Sequence, residues 1–475
     1  MTHDLTPADD AFAARLRAQL PPAAFREVTP GYLEEPRGIF HGQAGLIVAP
    51  ATVQEVSLVL AEANAARVPV VPYGGGTGLV GGQISPEGPA PLLLSMERMT
   101  AIRRVDPREN VLVAEAGAIL EDIHSAAAKV NRLFPLSLAA KGSARIGGNL
   151  ATNAGGVNVL RYGNARDLCL GLEAVFADGR IWHGLTRLRK DNTGYDLRNL
   201  MIGSEGTLGV ITAAALKLSP VPVQTGVAYV AVPSPAAALD LLALVRDRVG
   251  EAVSAFEIIS GMSLAFLEEK LPQIRRPFDP APDWMVLMEL GLPAGMDAAA
   301  ELEAVLAEAW EAELVSDALI AQNAAQGVEF WEVREQIPEA NRLIGAVSSH
   351  DISLPLGNLP EFIARADQLV AALGPFRINC FGHLGDGNLH YNVFPPKGQA
   401  KADWAQHRPA VKDAIYDLVA ELEGSMSAEH GIGRIKVEDL ERYGDPVKLE
   451  MMRAMKQVFD PNGIMNPGAV LRAEP

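Results

Sequence analysis

The feature that most constrains the fold is the placement of glycine in the first half of the chain. Three segments are rich in glycine: Gly74–Gly82, Gly142–Gly156 and Gly203–Gly209. The first contains the spacing G-x-G-x-x-G and directly follows an apolar strand pattern, Val68–Tyr73. Its continuation, Gln83–Pro89, contains two prolines and cannot begin a helix. Because a Rossmann dinucleotide site needs a helix at this point, the sequence excludes that fold, and no P-loop pattern occurs.

The same segments favour a cradle for a large polar cofactor that is held without ion pairs. Glycine lets the backbone approach a phosphate and point several N–H groups at it. Any one such segment is ordinarily a turn, but three of them indicate a single cofactor site. The residues predicted to bind this cofactor are Pro72, Gly74, Gly75, Gly76, Thr77, Gly78, Ser143, Gly147, Gly148, Asn149, Thr152, Asn153, Gly156, Glu205, Gly206, Val210, Ile211 and Asn466.

Composition excludes several classes of protein. The 475 residues carry a net charge of −17, which disfavours binding to nucleic acid or to an anionic membrane surface. Only two cysteines occur, Cys169 and Cys380, so a disulfide scaffold, a cysteine zinc site and a cysteine-held iron–sulfur cluster are excluded. No apolar run is long enough to span a bilayer, and the N-terminus lacks a signal-peptide pattern. These observations predict a cytoplasmic location.

Hydrophobic periodicity predicts an α+β protein with a boundary at Ser219–Pro222. Thr6 and Pro7 are expected to begin the first helix. Two successive strand–helix–strand patterns, beginning at Gly226 and at Trp284, predict a ferredoxin-like domain. The predicted domains are a two-subdomain cofactor-binding domain (1–220), a ferredoxin-like substrate domain (221–421) and a small helical C-terminal segment (422–475) that completes the active site.

Histidines and one carboxylate in the second half predict a metal site. His383 and His390 lie on predicted strands that flank a Gly/Asp turn, so they can converge at the neck of a hairpin. Alone, either would be interpreted as a structural histidine. Glu429 and His430 precede glycines that allow a sharp turn. Two histidines and a carboxylate make a three-ligand set that leaves coordination positions open, and His383, His390 and Glu429 suit Zn²⁺ best, with Mn²⁺, Co²⁺ and Fe²⁺ as alternatives.

The order of these motifs resembles a known flavoprotein family. Pro72–Gly78, Gly147–Gly156 and Gly203–Gly209 resemble the FAD domain of the vanillyl-alcohol oxidase / p-cresol methylhydroxylase superfamily. The C-terminal half resembles the FAD-linked D-2-hydroxyacid dehydrogenases, which include D-2-hydroxyglutarate dehydrogenase, D-lactate dehydrogenases and the glycolate oxidase flavoprotein subunit. The likeness runs from about Gly38 to Leu471. It implies a p-cresol methylhydroxylase-type domain that binds FAD non-covalently.

The resemblance also implies roles for individual residues. The positions that match the family's metal ligands are those of the three-ligand set, and His430 matches its catalytic base. Arg334 matches the family's carboxylate-binding arginine, and Asn392, Ser349 and His350 are further substrate-binding candidates. The implied reaction converts a D-2-hydroxy acid to the 2-oxo acid. The metal binds the 2-hydroxyl and lowers its pKa, His430 takes the hydroxyl proton, and the 2-hydrogen leaves as hydride to flavin N5.

Two positions depart from the pattern of D-2-hydroxyglutarate dehydrogenases. Pro338 stands where the family has a threonine, and Ser349 where it has a lysine, and both family residues help to hold the distal carboxylate. Arg334 can bind that carboxylate alone or with help from His350 or Arg342. D-2-hydroxyglutarate remains the favoured substrate, with D-lactate, D-malate or glycolate as alternatives.

Two other functions remain open at this point. One is a flavin oxidase of the same fold that passes electrons to O₂. The other is an electron-transfer or assembly subunit of a multi-protein complex, against which the intact histidine and carboxylate set argues. No NAD site is seen, so electron-transfer flavoprotein or a quinone is the expected acceptor. A homodimer is expected only from the frequency of such assemblies.

Overall fold

The computed structural model describes residues 4–472, which fall into two compact units. Unit 1 consists of Met1–Gly155, Asn164–Val221 and His430–Pro475, and unit 2 consists of Gly156–Gly163 and Pro222–Glu429. The chain after residue 430 therefore packs within unit 1. A short segment before residue 164 belongs to unit 2, although the surrounding sequence belongs to unit 1.

The chain contains both strands and helices, in a mixed order. The strands are β1 (Phe25–Arg26), β2 (Leu46–Val48), β3 (Val70–Tyr73), β4 (Leu92–Ser95), β5 (Ile102–Asp106), β6 (Val111–Glu115), β7 (Arg132–Leu133), β8 (Cys169–Val175), β9 (Ile181–Gly184), β10 (Val210–Lys217), β11 (Ser219–Pro220), β12 (Gln224–Val232), β13 (Val253–Ser260), β14 (Trp284–Leu292), β15 (Asp317–Ile320), β16 (Ser348–Ser353), β17 (Arg377–His383) and β18 (Asn388–Phe394). The helices are α1 (Asp10–Arg17), α2 (Pro30–Leu33), α3 (Val53–Ala66), α4 (Leu120–Ala128), α5 (Ile146–Ala151), α6 (Val159–Tyr162), α7 (Leu197–Met201), α8 (Pro235–Val249), α9 (Gly261–Lys270), α10 (Ala298–Glu311), α11 (Ala324–Ile344), α12 (Leu359–Leu373), α13 (Arg408–Glu421), α14 (Val437–Tyr443) and α15 (Pro446–Phe459).

Unit 1 contains two main sheets. The first has the order β1-β2-β4-β3, in which β2, β4 and β3 run parallel. The second is antiparallel with the order β5-β6-β10-β8-β9. Helix α3 begins after Thr52, whose side chain accepts the N–H of Glu55, and buries Val56, Val59 and Leu60 completely. These two sheets correspond to the two predicted subdomains.

Unit 1 lacks a Rossmann turn, as the sequence predicts. Within the described part of the chain, no helix lies between β3 and β4; the glycine-rich segment occupies that connection. The C-terminal segment reaches β3 instead. The Val70 N–H donates to the Ile464 carbonyl at 2.8 Å, and the Asn466 N–H donates to the Val70 carbonyl at 2.8 Å. Ile464 and Asn466 are therefore fixed beside the strand that leads into the first glycine-rich segment.

Unit 2 contains the predicted ferredoxin-like arrangement. Strands β12 to β15 form an antiparallel sheet in the order β15-β12-β14-β13, which is the order expected from two strand–helix–strand repeats. The prediction is confirmed. Three further strands continue the same sheet beyond β13, in the order β17-β18-β16. This extension carries both predicted metal-binding histidines.

The predicted start of the first helix is wrong. Helix α1 begins at Asp10, and the Asp9 side chain accepts the N–H of Phe12 at 2.8 Å. The Thr6 hydroxyl instead donates to the Ala66 carbonyl at 2.7 Å, where α3 ends. A threonine followed by proline and an aspartate are both acceptable N-caps, and the tertiary contact of Thr6 decides between them.

Candidate functional site

One face of the extended sheet in unit 2 carries the predicted chemistry. In the registered pairs of β17, β18 and β16, Phe381 lies opposite His390, and His390 lies opposite Asp351. Because side chains alternate between the two faces of a sheet, His383 and Asn392 share this face. Cys380 lies on the opposite face. The face is buried and polar, which is uncommon unless its groups are paired or bind a ligand.

The three predicted metal ligands come together on this face. His383 Nε2 lies 3.6 Å from Glu429 Oε1, and His390 Nε2 lies 4.0 Å from Glu429 Oε2. Each residue offers one ligand atom, and these atoms all lie within 4.8 Å of one another. A zinc ion lies about 2.0–2.2 Å from each nitrogen or oxygen ligand. Two atoms that bind one zinc ion therefore lie a few ångströms apart, as the three ligand atoms do here. The arrangement therefore fits a divalent cation.

A buried carboxylate that the sequence analysis missed lies behind His383. Glu257 Oε1 is 2.6 Å from His383 Nδ1, and Glu257 is completely buried. Burial lowers the pKa of His383, but Glu257 and Glu429 outweigh it and raise that pKa to about 9. A carboxylate on the second ring nitrogen is typical of metal-binding histidines, since it fixes the ring's orientation. The only sequence signal for Glu257 is an ionisable residue inside the otherwise apolar strand β13.

Arg334 pairs with the same carboxylate. Its Nε donates to Glu257 Oε2 at 2.8 Å, its Nη2 lies 2.8 Å from the same oxygen as an ion pair, and its guanidinium lies 4.8 Å from the centre of the Phe381 ring. Burial raises the pKa of Glu257, yet His383 and Arg334 together bring it below its ordinary value. The predicted substrate-binding arginine thus belongs to a buried chain from Arg334 through Glu257 to His383.

Glu429 is held by a second set of contacts. Its backbone N–H donates to Asp351 Oδ2 at 3.0 Å, and Asp351 Oδ1 accepts from Asn388 Nδ2 at 3.0 Å. The Gly156 N–H donates to Glu429 Oε1 at 2.6 Å, although Gly156 was predicted as a cofactor-binding residue. Burial raises the pKa of Glu429, and the bond from Gly156 opposes that rise. Asp351 therefore fixes the backbone of this ligand, and Gly156 fixes its side chain.

The structure separates the substrate-binding candidates. Asn392 shares the face of His390, and its Nδ2 donates to the His390 carbonyl at 3.3 Å. Ser349 lies opposite Asn392 in the register and is exposed. His350 lies on the other face of the sheet, 2% exposed, with its ring 5.4 Å from that of Tyr416, so it is not brought to the metal ligands. Arg342 is exposed and pairs with its helix neighbour Glu339.

The first two glycine-rich segments pack directly against each other in unit 1. A Cβ atom added at Gly75 would lie 2.1 Å from the Ser143 carbonyl oxygen, so only glycine fits there. A Cβ atom added at Gly74 would lie 3.5 Å from the Cα atom of Gly148. The two backbones therefore approach each other with no side chain between them, a contact that only glycine permits.

Two asparagines and the third segment complete this region. Asn149 is 5% exposed, and its Oδ1 atom has no hydrogen-bond partner among the residues that the structure describes. Such a buried acceptor is costly unless a ligand donor reaches it. Asn466 Nδ2 donates to the carbonyls of Gly82 and Glu205 at 2.8 and 2.9 Å. A Cβ atom added at Gly206 would lie 2.8 Å from Pro72 Cγ, so the third segment packs on the end of β3, directly before the first segment.

The other predicted cofactor residues have varied surroundings. Thr152 donates to the Gly148 carbonyl at 3.1 Å, and Asn153 Oδ1 accepts from the Arg166 N–H at 3.0 Å. Several more lie in the same segments or in β10: Gly76, Thr77 and Gly78 follow β3, Gly147 lies in α5 against Ala116, and Val210 and Ile211 begin β10.

His430 directly follows Glu429 in the chain and begins the last segment of unit 1. Gly431 and Gly433 adopt φ angles of +82° and +51°, which let the backbone turn sharply at this point. The predicted base and one predicted metal ligand are therefore neighbours in sequence.

Two family models match the chain. An FAD binding domain matches residues 44–184, and the C-terminal domain of FAD linked oxidases matches residues 221–470. The first match contains the first two glycine-rich segments, and the second contains His383, His390 and Glu429. Both family matches therefore agree with the resemblance to FAD-linked D-2-hydroxyacid dehydrogenases that the sequence shows.

Relatives match over most of their length. A probable mitochondrial D-2-hydroxyglutarate dehydrogenase of Oryza sativa subsp. japonica is 39% identical over 91% of this chain and 76% of the relative. A D-2-hydroxyglutarate dehydrogenase of Xanthomonas citri pv. viticola is 37% identical over 89% of this chain and 88% of the relative. A putative mitochondrial D-lactate dehydrogenase of Schizosaccharomyces pombe is 35% identical over 90% of this chain and 82% of the relative.

A solved structure confirms the predicted fold, and the relatives correct the predicted location. p-Cresol methylhydroxylase with substrate bound superposes with a TM-score of 0.77 at 15% identity, covering 99% of this chain and 98% of that one. The expected cytoplasmic location is wrong by this comparison, because the rice and fission-yeast relatives are named mitochondrial proteins. Among residues 4–472, no helix is both long enough and apolar enough to cross a bilayer.

Proposed function

The chain belongs to the FAD-linked oxidase family that contains the D-2-hydroxyglutarate dehydrogenases, and from this premise we propose that it oxidises D-2-hydroxyglutarate to 2-oxoglutarate with the help of a divalent metal. That it is an FAD-dependent oxidoreductase acting on a CH–OH donor follows from the family itself. The identity of the substrate, the need for a metal and the roles of single residues are the proposal.

The observation that carries the proposal is the convergence of His383, His390 and Glu429 on one sheet face. Their ligand atoms lie within 4.8 Å of one another, and Glu257 lies on the second nitrogen of His383. Three acidic groups, Glu257, Asp351 and Glu429, surround two histidines here. Buried carboxylates in this number are costly unless cations balance them, and a divalent metal would supply that charge.

The residues in unit 1 fit FAD. Bare backbone at Gly74, Gly75 and Gly148 gives a surface on which the pyrophosphate can accept N–H groups. The buried Oδ1 atom of Asn149 needs a donor, which the flavin or adenine ring can provide. We propose that FAD is bound non-covalently, as the resemblance to the FAD-linked D-2-hydroxyacid dehydrogenases implies.

The residues of the chain then divide the work of the reaction. When bound, the metal supplies Lewis acidity toward the 2-hydroxyl, and FAD supplies a hydride acceptor. The metal ligands hold the cation, and Glu257 keeps the His383 ring turned toward Glu429. A ring nitrogen of His430 takes the proton of the 2-hydroxyl. The Asn392 amide offers a hydrogen bond to the substrate carboxylate. Arg334 balances the charge of Glu257 and offers its remaining N–H groups to the distal carboxylate.

D-Lactate is the second candidate substrate. Pro338 lies inside helix α11 and brings no side-chain donor, and Ser349 is exposed. Both positions lack the polar groups that hold a distal carboxylate in D-2-hydroxyglutarate dehydrogenases. One relative is also named as a putative D-lactate dehydrogenase. Binding of a substrate without a distal carboxylate would leave the metal set and His430 in the same roles.

Electrons must leave the reduced flavin to a partner. We propose electron-transfer flavoprotein or a quinone as the acceptor. Formation of hydrogen peroxide under air, at the rate of substrate turnover, would instead identify an O₂-using oxidase.

The proposal is tested by anaerobic titration of the flavin with 2-hydroxy acids. We expect D-2-hydroxyglutarate to bleach the flavin absorbance faster than D-lactate, D-malate or glycolate, and the L-enantiomers to leave it oxidised. Faster bleaching by D-lactate would move the substrate and keep the reaction. Flavin that none of these acids reduces would refute the proposed activity.

A further inference from the structure

The side chain of Glu205 contacts the turn that follows His430, the predicted base. The Ile432 N–H donates to Glu205 Oε1 at 2.8 Å, and the Gly433 N–H donates to Glu205 Oε2 at 2.8 Å. All three residues belong to unit 1. The two amides immediately follow His430 and Gly431 in the chain. One carboxylate therefore holds both backbone donors of this turn.

The backbone of Glu205 is strained. Its φ angle is +51°, in the left-handed region that residues other than glycine, asparagine and aspartate seldom adopt. Glycine would adopt this conformation without cost and is abundant in the same segment. Strained residues that persist at such positions tend to occur where the side chain has a function. The fold therefore contains a glutamate at a position where glycine would have the more favourable backbone conformation.

The surroundings leave the carboxylate little freedom. A Cβ atom added at Gly431 would lie 2.6 Å from Glu205 Oε1, and one added at Gly82 would lie 3.3 Å from Oε2. Asn466 Nδ2 donates to the Glu205 carbonyl, so the backbone is fixed as well. Burial raises the pKa of Glu205 to about 7, and the two backbone N–H donors oppose that rise. The carboxylate is thus clamped on the loop rather than directed to an open cavity.

We propose that Glu205 is a positioning residue for His430: it clamps the turn at residues 431–433 and so fixes the imidazole that takes the substrate's proton. This inference rests on the proposed role of His430. It also differs from the sequence-based expectation that Glu205 binds the cofactor, because the carboxylate is engaged by the loop's own amides.

The first test measures the loop without any substrate. Hydrogen exchange in the full-length, FAD-loaded protein should show at least about tenfold faster exchange of one or both of the amides of residues 432 and 433 in Glu205→Gln, since the glutamine NH₂ group replaces one of the two acceptor oxygens. Glu35→Gln is the matched control. Glu35 also binds backbone N–H groups, those of Arg37, Ile39 and Phe40, in a loop that carries no predicted site residue. Unchanged exchange at 432 and 433 in Glu205→Gln would overturn the proposal.

The second test measures whether the clamp acts through His430. In anaerobic single-turnover reduction by D-2-hydroxyglutarate, Glu205→Gln should slow flavin reduction about tenfold with the substrate Kd changed less than about twofold, while Glu35→Gln changes neither. In a His430→Ala background the same substitution should have no further effect. An equal slowing in both backgrounds, or loss of FAD from the Glu205→Gln protein, would overturn the positioning role.

The two tests separate the inference from the proposed function. Faster exchange at residues 432 and 433 without any reduction by 2-hydroxy acids would refute the activity and the role assigned to His430, and with it the positioning role. If Glu205→Gln does not fold, Gly431→Ala provides the second variant. Its added Cβ atom would lie too close to Glu205 Oε1 and would displace the carboxylate. It should give the same faster exchange and slower reduction, and normal values for both would overturn the proposal.

Discussion

The glycine-rich region of unit 1 and the histidine face of unit 2 are stabilised in different ways. Around Gly75 and Gly148 the chain has no side chains, so that two backbone segments pack directly against each other at the surface that we propose for FAD. Around His383 the chain buries a dense set of ionisable groups, each held by another: Arg334 by Glu257, and Glu257 by His383. The first region depends on close backbone packing, and the second depends on balanced charge. Substitutions in the glycine-rich region should therefore weaken FAD binding, and substitutions in the histidine face should change stability and metal binding.

The largest expected effect is loss of a metal ligand. His390→Ala should slow flavin reduction by about a thousandfold, because Lewis-acid stabilisation contributes several kcal/mol to such reactions. FAD content, read from the visible spectrum, should remain that of the unsubstituted protein. His407→Ala, which changes a histidine outside the set, is the control. Loss of FAD together with activity would show that the two regions are not independent.

The second prediction concerns the buried charge chain. Glu257→Gln should lower the free energy of unfolding by about 3–5 kcal/mol, because it leaves the Arg334 guanidinium buried without its partner. Metal affinity should fall about 10- to 100-fold as His383 loses its orienting carboxylate. The double variant Glu257→Gln/Arg334→Met should regain much of the stability but not the metal affinity. These quantities are measured by denaturant unfolding and by zinc titration.

Glu339→Gln is the matched control for this prediction. It removes the carboxylate of an exposed arginine pair on the same helix as Arg334. Surface pairs of this kind contribute little, so stability and metal affinity should both stay unchanged. A Glu257→Gln protein that is as stable and binds zinc as tightly as the control would contradict the account of this face.

The two regions also differ in how much of each could be predicted from the sequence. The glycine-rich segments are contiguous, so their role and the absence of a Rossmann turn could be predicted directly. The hairpin of β17 and β18 was also predictable, because His383 and His390 are separated by a short Gly/Asp turn. Glu257 was not, since its partners His383 and Arg334 are far away in the chain and meet it only through the sheet register.

His350 is a second residue whose position could not be predicted from the sequence. It lies one residue before Asp351, and strand alternation turns the two side chains to opposite faces. The sequence places both in the same motif. Only the pairing of β16 with β18 shows that Asp351 faces His390 while His350 packs on Tyr416.

The third prediction concerns the packing of the glycine-rich segments. Gly75→Ala should weaken FAD binding by about tenfold or more, because overpacking costs on the order of 1–3 kcal/mol and the Ser143 carbonyl cannot move away freely. Zinc affinity should not change. Gly31→Ala, where an added Cβ atom meets nothing within 4 Å, is the control for FAD binding. Measurement of flavin release by fluorescence decides the outcome, and tight FAD binding by Gly75→Ala would contradict the predicted cradle.

The smallest expected effect concerns substrate choice. Pro338→Thr restores a side-chain hydroxyl in α11, one turn after Arg334. The ratio of kcat/KM for D-2-hydroxyglutarate to that for D-lactate should rise about three- to tenfold, as one added hydrogen bond to a distal carboxylate would give. An unchanged ratio would mean that this position does not face the substrate's distal end.

The most direct test of the division between the two regions is a visible spectrum recorded under anaerobic conditions with D-2-hydroxyglutarate, before and after treatment with a chelator. The account predicts that the untreated protein is bleached, that the chelated protein keeps its flavin but is no longer bleached, and that added Zn²⁺ restores the reaction. Full bleaching of a protein shown to be free of metal would contradict the central claim, because the histidine face would then not activate the substrate through a metal.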